Sequence, residues 1–565
     1  MKIPYLQRVL PFALLFIISL CYWNSLSNGF VWIDQAEIVD KLLIIDDWEA
    51  FIKILIFDDN NYAGYHRPMY NLMHSLDFAI WAGNPFGFHL SSLILHLANV
   101  FLFYTVLKWI TNNHWYALIS AAIFGLLSCH TATVALIHSK ADLLACFFIL
   151  VILFFFQKIR RKEELRVKWG IVILISFLFL LALLSKEVSI MLPFLGFFLY
   201  ILFRKSREMY TIDNFTIYPL MIIGITFFVL RIFNNSIESN ADAIPFIDRL
   251  LSFIPVYVNY IISSLSSVEL TTNDAVEIWS SMPVWKFGLQ LAAFAGLLVI
   301  QFVLAKKHWM IAIGFLWYNL FLIPVAQIFP ILHFRADRFL YIPSLGFIAA
   351  ITYYFFYQIE KKAWSGYKKI FIGFLLLYLG YSSYRIWDRN YDFSDDRTLF
   401  GQLVEKHPAC REAHGFLAND YLLRGEYDQG MIHALQAVEK QEDFYSFTDY
   451  KFNYGNLAIL HMRENNFQEA YTILISLTED DRAHPEAIFN LGICSKRLRK
   501  YSEAQQHFEK YLQLYPDNID ALFNLGQIGL ELGNSALIRS AFTRYLELNP
   551  SSPYKEEILD TLETL

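Results

Sequence analysis

NGFVWIDQAEIVDKLLIIDDWEAFIKILIFDDNNYAGYHRP, residues 28–68, is the stretch whose reading decides the fold. It stands between two apolar runs of membrane length, 9–25 and 86–109. It carries Asp34, Glu37, Asp40, Asp46, Asp47, Asp58 and Asp59, and it ends on His66-Arg67-Pro68. Aromatic and aliphatic residues separate those charges in the pattern of amphipathic helices lying along a membrane surface. A segment that only joined two spans would need neither this length nor this density of carboxylates. The stretch therefore reads as a platform that holds an acid above a bilayer, with the other spans supplying the walls of a pocket.

Outward from it, further apolar runs cover 115–129, 143–157, 169–184, 188–203, 215–233, 285–304, 309–329, 339–358 and 370–387. With the first two they make about eleven candidate transmembrane helices, since a helix rising 1.5 Å per residue crosses ~30 Å of hydrocarbon in about 20 residues. Ser185-Lys186-Glu187 breaks the run 169–203 into two helices with a tight turn. Phe253–Leu265 is expected to be an interfacial or re-entrant helix. Lys2 and Arg8 before Val9–Trp23 would suit a secretory signal, but Asn24–Asn28 is a poor cleavage site, so an uncleaved first span is expected.

The chain is 56% hydrophobic and 17% aromatic, with a mean hydropathy of +0.38, well above soluble composition. That surplus ends near residue 390, which implies a membrane domain over 1–390 and a soluble domain over 391–565. A net charge of −6, with no basic stripe, argues against nucleic acid. The five cysteines show no paired spacing, so neither a disulfide framework nor a zinc site is indicated.

Loop charges orient the spans. With the N-terminus in the cytoplasm, the even-numbered spans end at Lys108, Lys158–Lys162, Arg204–Arg207, Lys306-Lys307 and Lys361-Lys362, as the positive-inside rule expects. The opposite loops, 26–85, 130–142, 234–284 and 330–338, are long, acidic or histidine-bearing. This count puts the C-terminal domain outside, in the periplasm or lumen.

That domain repeats. Asn456-Leu457-Ala458, Asn490-Leu491-Gly492 and Asn524-Leu525-Gly526 recur every 34 residues, and Pro516 and Pro550 close two repeats at the same spacing. Phe467–Ala470 and Tyr501–Ala504 mark second helices. A 34-residue period with small and aromatic residues at these points is the tetratricopeptide signature. A degenerate copy over 412–438, before an insertion near 441–450, brings the total to about four repeats, an α-solenoid with a concave face.

Ionisable residues at the exoplasmic ends of spans each ask for a partner or a function, because lipid penalises them. Both signs gather there: Asp34, His66, Arg67, His138, Lys140, Asp142, Lys186, Glu187, Arg335, Arg338 and the hydrogen-bonding Tyr341. Cations suit an anionic headgroup, and a carboxylate suits proton abstraction from a hydroxyl. Singly they have plainer readings. Asp34 could cap a helix over 35–43, Arg67 could anchor at the interface, Lys186-Glu187 could be a hydrated turn, and Arg335 and Arg338 could snorkel. His130 and His138 are packed or interfacial rather than metal-binding.

With those residues in hand, the order of motifs resembles the transmembrane-and-tetratricopeptide-repeat O-mannosyltransferases of the GT-C glycosyltransferase superfamily, especially their bacterial relatives. The matching pieces are residues 28–35, 65–99, 130–148, 183–194 and 334–347, followed by the repeats. The resemblance implies an all-α polytopic GT-C membrane fold with interfacial helices in the first exoplasmic loop. It also implies an inverting transfer of a mannose-like sugar from a polyprenyl-phosphate donor to a protein Ser/Thr hydroxyl.

On that resemblance Asp34 matches the position of the catalytic base. Gln35 stands where the family has a second acid, and Glu37 is the nearest substitute. Arg67, Lys186 and Arg338 match positions facing the donor phosphate. Glu37, His66, His138, Lys140, Asp142, Glu187, Arg335 and Tyr341 would line the pocket. The partners implied are a lipid-linked sugar, membrane lipid and an acceptor protein in the repeat groove. No cofactor or metal ligand is assigned, and the use of a divalent ion stays open. Short cytoplasmic loops and no endoplasmic-reticulum retention signal favour a bacterial inner membrane. The competing reading is a non-enzymatic envelope scaffold, or a glycan ligase or flippase, whose repeats recruit partners.

Overall fold

The computed structural model describes residues 3–35, 38, 67–159, 165–203, 214–234, 244–266, 270–360, 365–478 and 485–565. The interfacial helices expected in the first loop, with Glu37 and His66, lie outside the described residues. The chain forms two compact units, one of residues 1–409 with 441–446, the other of 410–440 with 447–565. Helices build both.

In the first unit the apolar runs become α1 (Ile3–Cys21), α2 (Pro68–Trp81), α3 (Pro85–Thr111), α4 (His114–Gly125) and α5 (Thr131–Ala135). After them come α6 (Lys140–Ile159), α7 (Leu165–Ser185), α8 (Met191–Phe203), α9 (Asn214–Asn234) and α10 (Phe246–Leu265). The unit continues with α11 (Val284–Ala305), α12 (Trp309–Leu322), α13 (Tyr341–Glu360), α14 (Lys368–Asn390) and α15 (Asp396–Lys406). Local chemistry sets the ends. Asn84 accepts from the Phe86 N–H with Pro85 in the first turn, which starts α3. Asn112 in the left-handed region stops α3, and Asn113 caps α4 by accepting from the Tyr116 N–H.

Among the described residues six helical stretches are long and apolar enough to cross a bilayer, or seven if the bent pair 114–125 and 128–135 is one span. Five shorter apolar helices accompany them. The fold class is thus all-α, as expected. The helix expected over 253–265 as interfacial or re-entrant is longer, α10, and by length and composition it counts among the candidate spans. The structure satisfies the polar side chain of its Tyr257. Tyr257 of α10, Gln301 of α11 and Asn319 of α12 close a ring of hydrogen bonds, each 2.7 Å. Such side-chain bonds hold helices together where lipid offers no partner.

α12 and α13 touch backbone to backbone. A Cβ added at Gly314 would stand 2.4 Å from the Gly346 carbonyl oxygen, and one at Gly346 would stand 2.4 Å from that of Gly314. A short antiparallel pair, β1 (Val276–Glu277) with β2 (Phe444–Tyr445), completes this unit.

The second unit stacks hairpins α16 (Arg411–Leu423) with α17 (Tyr427–Val438), α18 (Tyr450–Arg463) with α19 (Phe467–Thr478), α20 (Pro485–Arg497) with α21 (Tyr501–Leu514), and α22 (Ile519–Leu532) with α23 (Ser535–Leu548). α24 (Lys555–Thr564) closes the stack. The 34-residue period is a packing period: Leu457, Leu491 and Leu525 are all buried. Gly492 and Gly526 leave room for the rings of Phe508 and Phe542, again 34 apart, which would lie 2.9 and 2.3 Å from an added Cβ. Each hairpin buries its apolar stripe on the next, so the core is continuous.

Candidate active site

After α1 the chain turns through Trp23–Ser27, and Asn28 ties it to α14 by donating to the Asn390 carbonyl at 2.8 Å. Trp32 then adopts φ +62°, a left-handed conformation costly for a bulky L-residue. Its backbone N–H is held by the Asp396 carboxylate of α15 at 2.5 Å. This kink turns Asp34 inward, where it is fully buried. Asp34 Oδ1 accepts from the His138 backbone N–H at 3.0 Å and lies 3.2 Å from His138 Nδ1, while Oδ2 accepts from the Val31 N–H at 3.3 Å.

The Trp32 ring links that acid to the cations. It meets His138 edge-on at 4.7 Å and His333 at 5.4 Å, and the Arg338 guanidinium lies over it at 5.3 Å. Arg338 also covers Phe339 at 5.2 Å, and Lys186 Nζ lies 5.5 Å from the same ring. Burial holds the Lys186 amine below the usual lysine range; Asp142 opposes that shift, and the neighbouring charges of Arg67 and Arg338 add to it. Asp34, His138, Trp32, Arg338, Lys186 and Arg67 therefore form one connected group.

Most of these cations already have acids. Arg67 makes a two-pronged bond to Glu187, both contacts 3.0 Å. Lys186 donates to Asp142 at 2.5 Å. Lys140 is buried against Asp77, which Ser91 also bonds at 2.8 Å. Arg335 pairs with Asp274 at 2.9 Å. Glu187 and Asp142 thus serve as counter-ions to Arg67 and Lys186, and Lys140 as counter-ion to Asp77. Tyr341 sits apart in the buried core, where its hydroxyl meets His96 Nδ1 at 2.7 Å and Asn99 Nδ2 at 3.2 Å. Among the described residues no group of three or more His, Cys, Asp or Glu is placed to hold a metal ion.

Sequence reasoning left out four participants: Trp32, Asp274, Phe339 and Asp396. Trp32 lies in the decisive stretch but counts there only as one aromatic among many. Asp396 caps nothing in the membrane pattern, and its contact to Trp32 spans 364 residues.

Models of the tetratricopeptide repeat match residues 485–518 and 519–552. Human protein O-mannosyl-transferase TMTC3 is 22% identical over 564 residues, an alignment covering 89% of this chain and 60% of that protein. Protein O-mannosyl-transferase Tmtc1 of Drosophila melanogaster is 29% identical over 189 residues, covering 32% of this chain and 21% of that one. The chain is similar in sequence to these O-mannosyl-transferases. It spans 60% of the length of TMTC3 and 21% of that of Tmtc1. A solved ArnT from Cupriavidus metallidurans bound to undecaprenyl phosphate aligns over 84% of this chain and 81% of its own, with 14% identity and a TM-score of 0.35.

Proposed function

We propose that the chain is a membrane glycosyltransferase of GT-C type that moves a mannose-like sugar from a polyprenyl phosphate to a protein Ser/Thr hydroxyl. The observation that carries this is the connected group: one fully buried acid, Asp34, joined through His138 and Trp32 to Arg338 and Lys186. The kinship with O-mannosyl-transferases supports it. The acceptor oxygen attacks the anomeric carbon and inverts it, and the bond to the lipid phosphate breaks. Its proton leaves toward the Asp34–His138 pair. The phosphate takes the electron pair, so charge stabilisation by Arg338, Lys186 and Arg67 matters more than a general acid. The repeat unit holds the acceptor protein in its groove.

We place the reaction on the exoplasmic side of a bacterial inner membrane, with the N-terminus cytoplasmic. α10 adds a candidate crossing to the eleven from which that side was counted, so cysteine labelling from each face of the membrane is the direct check. For activity the test is transfer of radiolabelled mannose from polyprenyl-phosphate mannose to a co-purified acceptor protein. Asp34→Asn is expected to abolish transfer while leaving membrane insertion intact. Undiminished transfer by that variant removes Asp34 from the chemistry, and a wild type that transfers nothing favours the scaffold reading.

A further inference from the structure

Asp34 sits awkwardly for a group that must itself touch an acceptor hydroxyl. Asp34 and His138 Nε2 are both buried, so what separates them is whether their atoms are already engaged. Both Asp34 oxygens are already engaged, Oδ1 by two groups of His138 and Oδ2 by the Val31 N–H. An ionised carboxylate can only accept, so the 3.2 Å contact requires a proton on His138 Nδ1. That choice of tautomer leaves the lone pair on Nε2. Among the described residues Nε2 of His138 is buried and has no hydrogen-bond partner.

Ring nitrogens of His74, His89, His114 and His461 are also buried without a partner among the described residues; His138 differs from them in being bonded to Asp34 and in sharing the Trp32 ring with Arg338. The local backbone also fixes its ring. Leu136–Lys140 folds as a 3₁₀ turn ahead of α6, with Ser139 N–H bonded to the Leu136 carbonyl, so His138 is fixed by its main chain as well as by Asp34. Trp32 meets the imidazole edge-on at 4.7 Å and limits its rotation. The same indole carries Arg338, which puts the phosphate-binding cation beside the ring.

We propose that His138 is the catalytic base and Asp34 its positioning residue. This rests on the glycosyltransferase reading above. The acceptor O–H gives its proton to His138 Nε2 as the oxygen bonds to the anomeric carbon. The anomeric carbon–phosphate oxygen bond breaks, and its electron pair stays on the phosphate. The imidazolium is stabilised by Asp34 and returns its proton to water when product leaves.

The discriminating variant is His138→Asn. Its amide can still donate to Asp34 where Nδ1 did, but it has nothing at the Nε2 position. Transfer from polyprenyl-phosphate mannose is expected to fall about 10²–10⁴-fold in kcat, with donor KM within about threefold, since general bases contribute on that scale. His138→Ala should regain part of its kcat with added imidazole. Wild-type kcat/KM should rise with pH through one ionisation, which His138→Asn abolishes. If His138→Asn keeps kcat within about threefold of wild type, the histidine only steadies Asp34 and the proposal falls. If either variant is unfolded by thermal melting, the wild-type pH profile decides, and a flat profile overturns the assignment. A wild type that transfers no sugar sinks the glycosyltransferase reading itself, which is a different result from an active His138→Asn.

Discussion

Asp142→Ala is expected to destabilise the membrane unit by about 3–5 kcal/mol, the cost of stranding one member of a buried ion pair. Asp142 lies in the first turn of α6 and Lys186 in the turn after α7, with their charged atoms 2.5 Å apart and side chains only 6% and 11% exposed. At that spacing, and an effective dielectric of ~20, their attraction is about 7 kcal/mol. Removing two ions from water costs several kcal/mol each, so the intact pair contributes little net, while a lone buried ammonium keeps its full penalty. Replacing both, Asp142→Leu with Lys186→Met, should therefore stay within about 2 kcal/mol of wild type.

The sign with pH is fixed by the same burial. The Lys186 amine is held below its usual range, so the unfolded chain binds its proton more tightly than the fold does. That penalty is largest below the folded pKa and disappears as pH rises toward the unfolded value. Without Asp142 it deepens, and Asp142→Ala should recover part of its loss as pH rises toward the usual lysine range. Unfolding in mixed micelles with rising dodecyl sulfate, followed by tryptophan fluorescence, measures wild type, Asp142→Leu, Lys186→Met and the double variant, the four corners of one cycle. A single variant costing under ~1 kcal/mol, or a double variant costing the sum of the singles, would refute the buried pair.

Gly346→Ala should separate α12 from α13, because the new methyl meets the Gly314 carbonyl oxygen at 2.4 Å and the Trp317 side chain at 2.6 Å. A loss of about 3 kcal/mol or more in the same micelle assay is expected, at the top of the overpacking range, since backbone cannot swing away. In the repeat unit, His414 and His433 share one hydrogen bond, Nδ1 to Nδ1 at 2.8 Å, with Tyr421 stacked on His433. Burial, then the His414 charge, lowers His433 to about 4 from 6.5. The stability this contributes is complete above about pH 6.5 and is lost as pH falls toward 4. Amide protection factors across 411–438 in the full chain, with the intrinsic pH dependence of exchange divided out, should fall over that window, and His433→Gln should remove the effect.

The parts of this molecule legible from one sequence are those governed by a local period. Apolar runs announce the spans because lipid tolerates few interruptions. The 34-residue period announces the hairpins because Gly492 and Gly526 must admit Phe508 and Phe542. The pairing of Tyr257 with Gln301 and Asn319 is not legible, because it reads as scattered polarity in one dimension and as a closed hydrogen-bond ring in three. The chemistry of the site has no period at all. The contact between Asp34 and His138 spans 104 residues, and that between Arg67 and Glu187 spans 120.

What a sequence can supply for such a site is its inventory of charge on one side of a bilayer; which acid answers which cation is decided by packing. That distinction changes the roles. Asp142 and Glu187 read from the sequence as pocket groups, and the structure spends them on Lys186 and Arg67. His138 reads as one pocket group among eight, yet it is the side chain bonded to the fully buried Asp34, with its far nitrogen unpartnered among the described residues. The kink at Trp32 is what makes this arrangement hold. A tryptophan at φ +62° persists only if its surroundings overdetermine it, and here Asp396 fixes its amide while His138, His333 and Arg338 enclose its ring. The strain sits two residues from Asp34, so a single local distortion sets both the acid's direction and the place of the Arg338 guanidinium over the Trp32 ring.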